Sequence, residues 1–312
     1  MASQRIEVRP CLSEDEERLS LEIHNAVWPR RAVTMDEVRS FQAAMNDYGD
    51  FLAEVDGVPA GSAAVAIVPQ RPRAGFVFLT VLEEKRRRGA GSALYAAVSE
   101  WLRARALDVV HASAAEEDAD SQAYAARRGF VEIERYPRML LDLASVDEPR
   151  VEPPEGVQIV TWAERPELAR GIYEVAVEAY ADVPGGESEE MESFEDWLAH
   201  DMQGSGDRPD ATFVALAGDE VVGYAKYSLT AARPTVAFHD MTGVRRDWRG
   251  RGIARVLKHA QIAWAKRSGF EELETSNEER NEPIRRLNAQ LWYRPAPGRV
   301  LLEGPLAGPA RS

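Results

Sequence analysis

The sequence predicts an α/β (α+β) fold built twice: two tandem domains, each a mixed, mainly antiparallel sheet flanked by helices. A chain of 312 residues is large for one core and comfortable for two. It also repeats itself, since Val81 matches Val244, Arg86 matches Arg249, Gly89 matches Gly252 and Phe130 matches Tyr293, all at an offset of 163 (244 − 81). Upstream, "FLAEVDGVPAGSA" at 51–63 resembles "FVALAGDEVVGYA" at 213–225, at an offset of 162 (213 − 51). A repeat this long is a domain with its own core and not a solenoid unit. The expected boundaries are 1–147 and 157–312, joined at 148–156 by a stiff, solvated linker rich in proline and acidic residues.

The same order of elements reads through both copies. An early strand, "RIEVR" or "VQIVTW", leads to an acidic, helix-prone region. Two strands then form a hairpin whose turn carries Asp56-Gly57 or Gly218-Asp219. A further strand, "GFVFLTVL" or "TVAFHDMTGV", runs into a basic glycine turn. Beyond it apolar residues recur at helical spacing, Leu94, Val98 and Trp101 or Ile253, Leu257, Ala260 and Trp264. A strand ("DVVHASA" or "ELETSN"), a short helix ("DSQAYAARRGF" or "NEPIRRLNAQLWY") and a last strand complete each copy.

A glycine turn between strand and helix aims several backbone N–H groups at one point, where the helix dipole also favours negative charge. That is an anion cradle. The nucleotide P-loop needs Gly-x-x-x-x-Gly-Lys-Ser/Thr, and neither turn has the lysine or the hydroxyl. The dinucleotide fingerprint needs Gly-x-Gly-x-x-Gly, but its last position is Leu94 in one copy and Arg255 in the other. A third pattern, Arg/Gln-x-x-Gly-x-Gly/Ala, fits Arg86-Arg87-Arg88-Gly89-Ala90-Gly91 and Arg249-Gly250-Arg251-Gly252-Ile253-Ala254.

On these hexapeptides the chain resembles the GNAT acyltransferase superfamily, over nearly its whole length, in an arrangement similar to that of mycothiol synthase and other two-domain acetyltransferases. The resemblance implies that each turn grips the pyrophosphate of acetyl-CoA. It implies that Met241, Thr242, Gly243 and Val244, and in the first copy Leu79, Thr80 and Val81, hold the pantetheine through backbone groups. By the same likeness Asn277, Asn281 and Asn288 in "TSNEERNEPIRRLN" contact the pantetheine or adenylate, although Asn277 and Asn281 also suit helix capping.

Catalytic groups are less orthodox. The family's usual glutamate, eleven residues before the motif, is replaced by Phe238 and by Gly75. The nearest ionisable groups are Asp240, on the same strand face as Phe238, and His239, which points the other way unless a bulge intervenes. Asp240 is the expected base or acceptor anchor, with His239 second. The family's tyrosine acid is replaced by Ala125, with Tyr124 one residue out of register, and by Asn288, which can hydrogen-bond a sulfur but releases no proton. The glycine that follows in the family is Trp292, at a place where helices commonly end with positive φ; it either fills a gap or walls the acceptor pocket.

Composition bounds the partners. A formal charge of −14 disfavours nucleic acid, the third reading of the basic turns. The stretch 173–201 has ten acidic residues and no Lys or Arg among 29 positions, which attracts a cationic amine or is merely a solvated face. Cys11, alone, excludes an internal disulfide and a thiolate-rich metal site; its acidic neighbours make it a filler and not a nucleophile, and no metal is expected. No apolar run reaches membrane-spanning length and the N-terminus lacks the pattern of an export signal, so no membrane partner and a cytoplasmic location are expected. The combined expectation is acetyl-CoA-dependent N-acetylation of a small amine, with the second domain catalytic and the first degenerate. The rival is a protein that binds acyl-CoA without turnover.

Overall fold

The computed structural model describes residues 5–69, 71–184 and 191–308. The chain divides into two compact units, Met1–Arg135 with Arg299–Ser312, and Tyr136–Gly298. This division differs from the boundaries read at 147 and 157, because the last strand of each repeat is taken up by the other unit.

In the first unit β1 (Ile6–Pro10), α1 (Glu14–Val27) and α2 (Met35–Ala44) precede β2 (Asp47–Val55), β3 (Val58–Ile67) and β4 (Gly75–Val81). Then follow α3 (Ala90–Arg103), β5 (Val109–Ala115), α4 (Ala119–Ala126) and the start of β6 (Val131–Asp142). Neighbouring strands run antiparallel except β4 and β5, which are parallel. The free side of β5 is taken by Arg299–Pro305, from the C-terminal strand β12 (Arg294–Pro305). Local chemistry explains the ends: Ser13 caps α1, a reciprocal Thr34–Glu37 box starts α2, and Asp56 and Gly57 both take positive φ in the hairpin turn.

The second unit repeats this plan. It comprises β7 (Val157–Thr161), α5 (Ala169–Tyr180), α6 (Phe194–Trp197), β8 (Asp207–Ala217), β9 (Glu220–Leu229), β10 (Val236–Val244), α7 (Ile253–Arg267), β11 (Glu272–Ser276) and α8 (Glu282–Gln290). Here β10 and β11 are the parallel pair, and Arg138–Asp142 of β6 lines the far side of β11. Leu198–Met202 continues α6 as a π-helical turn. The residues read as a linker carry no helix or strand, but they are tied along α7: His259 Nδ1 lies 3.1 Å from Arg150 O, and Arg267 pairs with Glu148 at 2.6 Å.

One face of the second sheet packs on α5 and α6 through Val175, Ala176, Trp197, Val214 and Tyr224. The other packs on α7 through Ala225, Val244, Ile253 and Leu257. Alternation along β9 therefore sends Tyr224 to one helix layer and Ala225 to the other.

The repeat persists in backbone detail. Arg87 and Gly250 have φ of 62° and 75°, Gly89 and Gly252 of 91° and 86°, and Gly129 and Trp292 of 83° and 66°. Trp292 thus keeps the left-handed conformation of a glycine and is 52% exposed, so it fills no gap in the core. Cys11 is half-buried, and burial followed by the charges of Asp50 and Glu16 pushes its thiol up to about 12, as suits a filler.

Candidate active site

Strand β10 pairs with β11 only as far as His239, opposite Thr275. From Met241, opposite Lys226, to Val244, opposite Gly223, it keeps β9 on one side and has no strand partner on the other among the described residues. Such an edge offers peptide groups to another extended, amide-bearing chain.

The edge leads through a 3₁₀ turn (Arg246–Trp248) into the glycine turn. A Cβ at Gly250 or Gly252 would meet nothing within 4 Å, so the positive φ and not crowding is what favours glycine here. Among the described residues the N–H groups from Gly250 to Arg255, including those of Arg251, Ile253 and Ala254, have no intramolecular acceptor, and no side chain caps α7. Converging N–H groups at a helix N-terminus form an anion nest.

Acidic residues of the α5 segment cover the basic side chains of this turn. Arg249 donates Nε to Val244 O at 3.0 Å and pairs with Asp182 at 2.7 Å. Arg246 holds the same carboxylate through two bonds of 2.9 and 2.6 Å, and Arg245 pairs with Glu174 at 2.7 Å. Arg246 first, with Arg249, holds Asp182 down at about 2. Arg251 lies over the Trp248 ring at 4.6 Å. An anion seated in the nest would compete with Asp182 for Arg249.

An unpaired strand edge leads toward a glycine turn in each repeat. The acetyltransferase (GNAT) family model matches residues 15–130 and 169–290. The chain belongs to the acetyltransferase (GNAT) family. It is similar to a tandem GNAT protein from the clavulanic acid biosynthesis pathway, at 22% identity over 97% of this chain and 99% of that one, with a TM-score of 0.77. It is similar also to a GCN5-related N-acetyltransferase from Sphaerobacter thermophilus, at 22% identity over 97% and 96% of the two chains, with a TM-score of 0.76. At that identity the likeness concerns the fold. No curated protein matches the sequence.

Within the GNAT domain of the second unit, a bulge at Asp240 separates two polar clusters on opposite faces of β10. His239 is buried toward α7, with Nδ1 3.0 Å from Gln261 Oε1 and Nε2 hydrogen-bonded to the Tyr293 hydroxyl. Burial, then the nearby Lys258, pushes its pKa well below the usual imidazole range. With both ring nitrogens engaged and no exposed edge, His239 is not placed to receive a proton from an acceptor. The bulge does not turn it toward the other face. Lys258, buried beneath the Tyr293 ring at 5.7 Å, has no carboxylate partner among the described residues, and desolvation brings it down to about 7.

Asp240 turns to the α5 face and pairs with Lys226 Nζ at 2.9 Å. Lys226, 2% exposed, also meets Asp207 at 2.7 Å and Asp201 at 3.6 Å, and donates to the carbonyl of Asp201. Three carboxylates thus surround one ammonium. Burial pushes the Asp201 carboxyl up to about 7; Lys226 opposes this, while the charges of Asp240 and Asp207 add to it. The Tyr180 hydroxyl donates to Asp201 Oδ2 at 3.5 Å, and the buried Tyr224 hydroxyl, close enough to feel Asp201 and Asp240, has no hydrogen-bond partner among the described residues.

Asn277 accepts from Asn288 Nδ2 at 3.0 Å and from Thr275 Oγ1 at 3.4 Å, so two of the three expected asparagines meet beside the end of β11. Asn288 is fully buried and its Oδ1 has no partner among the described residues; its donor is already committed to Asn277. Asn281 begins α8 without a side-chain capping bond. Of the acidic stretch 173–201, residues 185–190 lie outside the described residues.

The first unit has the same devices in altered form. β4 pairs with β5 only through Val77, leaving Leu79, Thr80 and Val81 with β3 alone, and Arg86 Nε reaches Val81 O at 3.4 Å. However, Ile6 Cδ1 lies 2.6 Å from where a Cβ on Gly89 would stand, whereas Gly252 faces open space. Arg87 occupies the left-handed position without being glycine and pairs with Asp120; Arg88 is exposed and Ala90 buried. The Tyr124 hydroxyl donates to Gly91 O at 2.8 Å, and Thr80 meets Ser62 Oγ at 3.0 Å.

Sequence reasoning missed Asp201, Asp207, Lys226, Tyr180 and Tyr224. The acidic stretch signalled Asp201 only as one of ten carboxylates. The one available sign for Lys226 was a lysine inside the apolar strand "VVGYAKYSL", which a buried sheet tolerates only with anionic partners.

Proposed function

We propose that the protein is an acyl-CoA-dependent N-acyltransferase that transfers acetyl from acetyl-CoA to a primary amine in a ternary complex, with the second unit performing the reaction. The observation that carries this reading is the unpaired edge Met241–Val244 running directly into the open nest of Gly250–Arg255. The edge suits the amide groups of pantetheine, and the nest and Arg249 suit a pyrophosphate. Asn277, beside the end of β11, suits the cofactor's peptide-like arm, held in place by the buried Asn288, and Asn281 suits the part nearer α8. Asp240 anchors Lys226 in the acceptor site and is not free to serve as the base.

The first unit serves as a degenerate copy, a reading supported by Ile6 over Gly89 and by Arg87 in a glycine's conformation. The cytoplasm, suited to a chain with one cysteine, is where we place the reaction. No helix of the described residues is long and apolar enough to cross a membrane, and among them no group of acidic, His or Cys side chains is placed to hold a metal.

The test is a thiol-release screen with acetyl-CoA over amines, amino acids, polyamines and aminoglycosides. Release with at least one class, accompanied by an N-acetylated product, is expected. CoA binding without release from any acceptor would favour the acyl-CoA sensor, the reading motivated by Phe238 and Asn288 at the family's base and acid positions.

A further inference from the structure

We propose that Asp201, Asp207, Asp240 and Lys226 form a binding site for the ammonium group of a cationic amine, with Asp201 as the group that takes the amine's proton. The inference rests on the acyltransferase reading and names its acceptor class and base. The site lies where that reaction needs it. Lys226 is paired across the sheet with Met241, Tyr224 with Gly243, and Asp240 immediately precedes the free strand edge.

Charge argues for a cationic occupant. With all three carboxylates ionised, the cluster holds three negative charges against the one ammonium of Lys226 (−3 + 1), in a setting where Lys226 is almost wholly buried. Uncompensated charge in such a place draws either a proton or a cation. The three carboxylates are not equivalent. Asp207 and Asp240 lie within 3 Å of Lys226, at 2.7 and 2.9 Å, and are bound to it as counter-ions. Asp201, at 3.6 Å, is the loosest partner; it and Asp240 are 26% and 32% exposed against 11% for Asp207, so a ligand can reach both, and Asp201 is the one not held close by Lys226.

An independent feature points the same way. The Tyr224 hydroxyl is fully buried, unpartnered and directed to the neighbourhood of Asp201 and Asp240, so a donor or acceptor is missing from this pocket among the described residues. Asp201 also stands in the π-helical turn Leu198–Met202, where both its carbonyl and its carboxylate meet Lys226 of β9. The groups that face Asp201 are Tyr180 from α5, Asp207 from β8, Tyr224 and Lys226 from β9, and Asp240 from β10. Burial and the two neighbouring carboxylates poise it near neutrality, as a proton acceptor for an ammonium requires.

The step balances. The C–N bond forms between the amine nitrogen and the acyl carbon, and the C–S bond breaks with its electron pair left on sulfur. Of the two protons that the ammonium sheds on becoming an amide, Asp201 takes one and the thiolate the other.

The test is binding calorimetry in the absence of acyl-CoA, with 1,4-diaminobutane and spermidine as probes and butanol as the uncharged control, in two buffers of different ionisation enthalpy. Because a bound cation replaces the proton on Asp201, the diamines should bind at pH 6.5 with release of a proton, and butanol should not bind. Asp201→Asn should weaken diamine binding at least about tenfold and abolish the release. Tyr180→Phe, which removes a donor to the carboxylate, should move the pH midpoint of release upward. Failure of both diamines to bind, or equal proton release by the wild type and Asp201→Asn, overturns the inference. CoA titrated into the same samples distinguishes this from failure of the acyltransferase reading, since the cradle is separate from the cluster.

Discussion

Lys226 holds Asp240 at 2.9 Å, and so the one carboxylate next to the free strand edge is already a counter-ion. Asp201, the loosest partner of the same ammonium, is the stronger base candidate.

This relationship predicts a particular pH–rate profile. Asp240→Asn should lower kcat/KM by about tenfold through loss of one anchoring charge, yet keep an ionisation on the acidic limb. Because Asp240 raises the Asp201 carboxyl, its neutralisation should move that limb below the value of about 7. A profile from which the limb has vanished would return the role of base to Asp240.

Stability should follow the same group. Asp201 is raised from 3.8 to about 7, so the folded state keeps its proton where the unfolded state releases it. Its contribution is present below about pH 4, diminishes between pH 4 and 7 and is gone above 7. Asp201→Asn should therefore match the wild type in urea unfolding at pH 4 and exceed it at pH 8, by on the order of 1 kcal/mol or more.

Asp182 neutralises Arg249 and Arg246 beside the anion nest. Asp182→Asn should tighten CoA binding several-fold, within the ~1 kcal/mol of an exposed pair, and the gain should shrink in high salt. Unchanged or weaker binding in calorimetry would show that Asp182 positions the arginines.

Trp292 takes φ of 66° while half its surface is in water. Trp292→Gly should relieve the left-handed strain and stabilise the second unit by about 1 kcal/mol, read as a higher urea midpoint at unchanged slope. A loss of stability would mean that the indole's contacts outweigh the strain.

Much of this architecture was legible in the sequence because it is local. Strand and helix periods, the Asp56-Gly57 turn and the glycine turns depend on residues near one another, and their recurrence located them twice. Exchange of the final strands was not legible, since β6 and β12 look alike whichever sheet they join. The face of His239 followed from simple alternation, but what engages it, Gln261 and Tyr293, lies 22 and 54 residues away. The cluster around Lys226 gathers residues 201, 207, 226 and 240 from three strands and a π-helical turn. No spacing rule joins them; only folding does.

The central claim is that the second unit's turn grips acyl-CoA while the first unit's copy does not. Its most direct test is calorimetric titration of CoA into the wild type, Arg249→Glu and Arg86→Glu. One site per chain is expected in the wild type, lost in Arg249→Glu and retained with nearly unchanged affinity in Arg86→Glu. Two sites, or equal loss from both changes, would contradict the account.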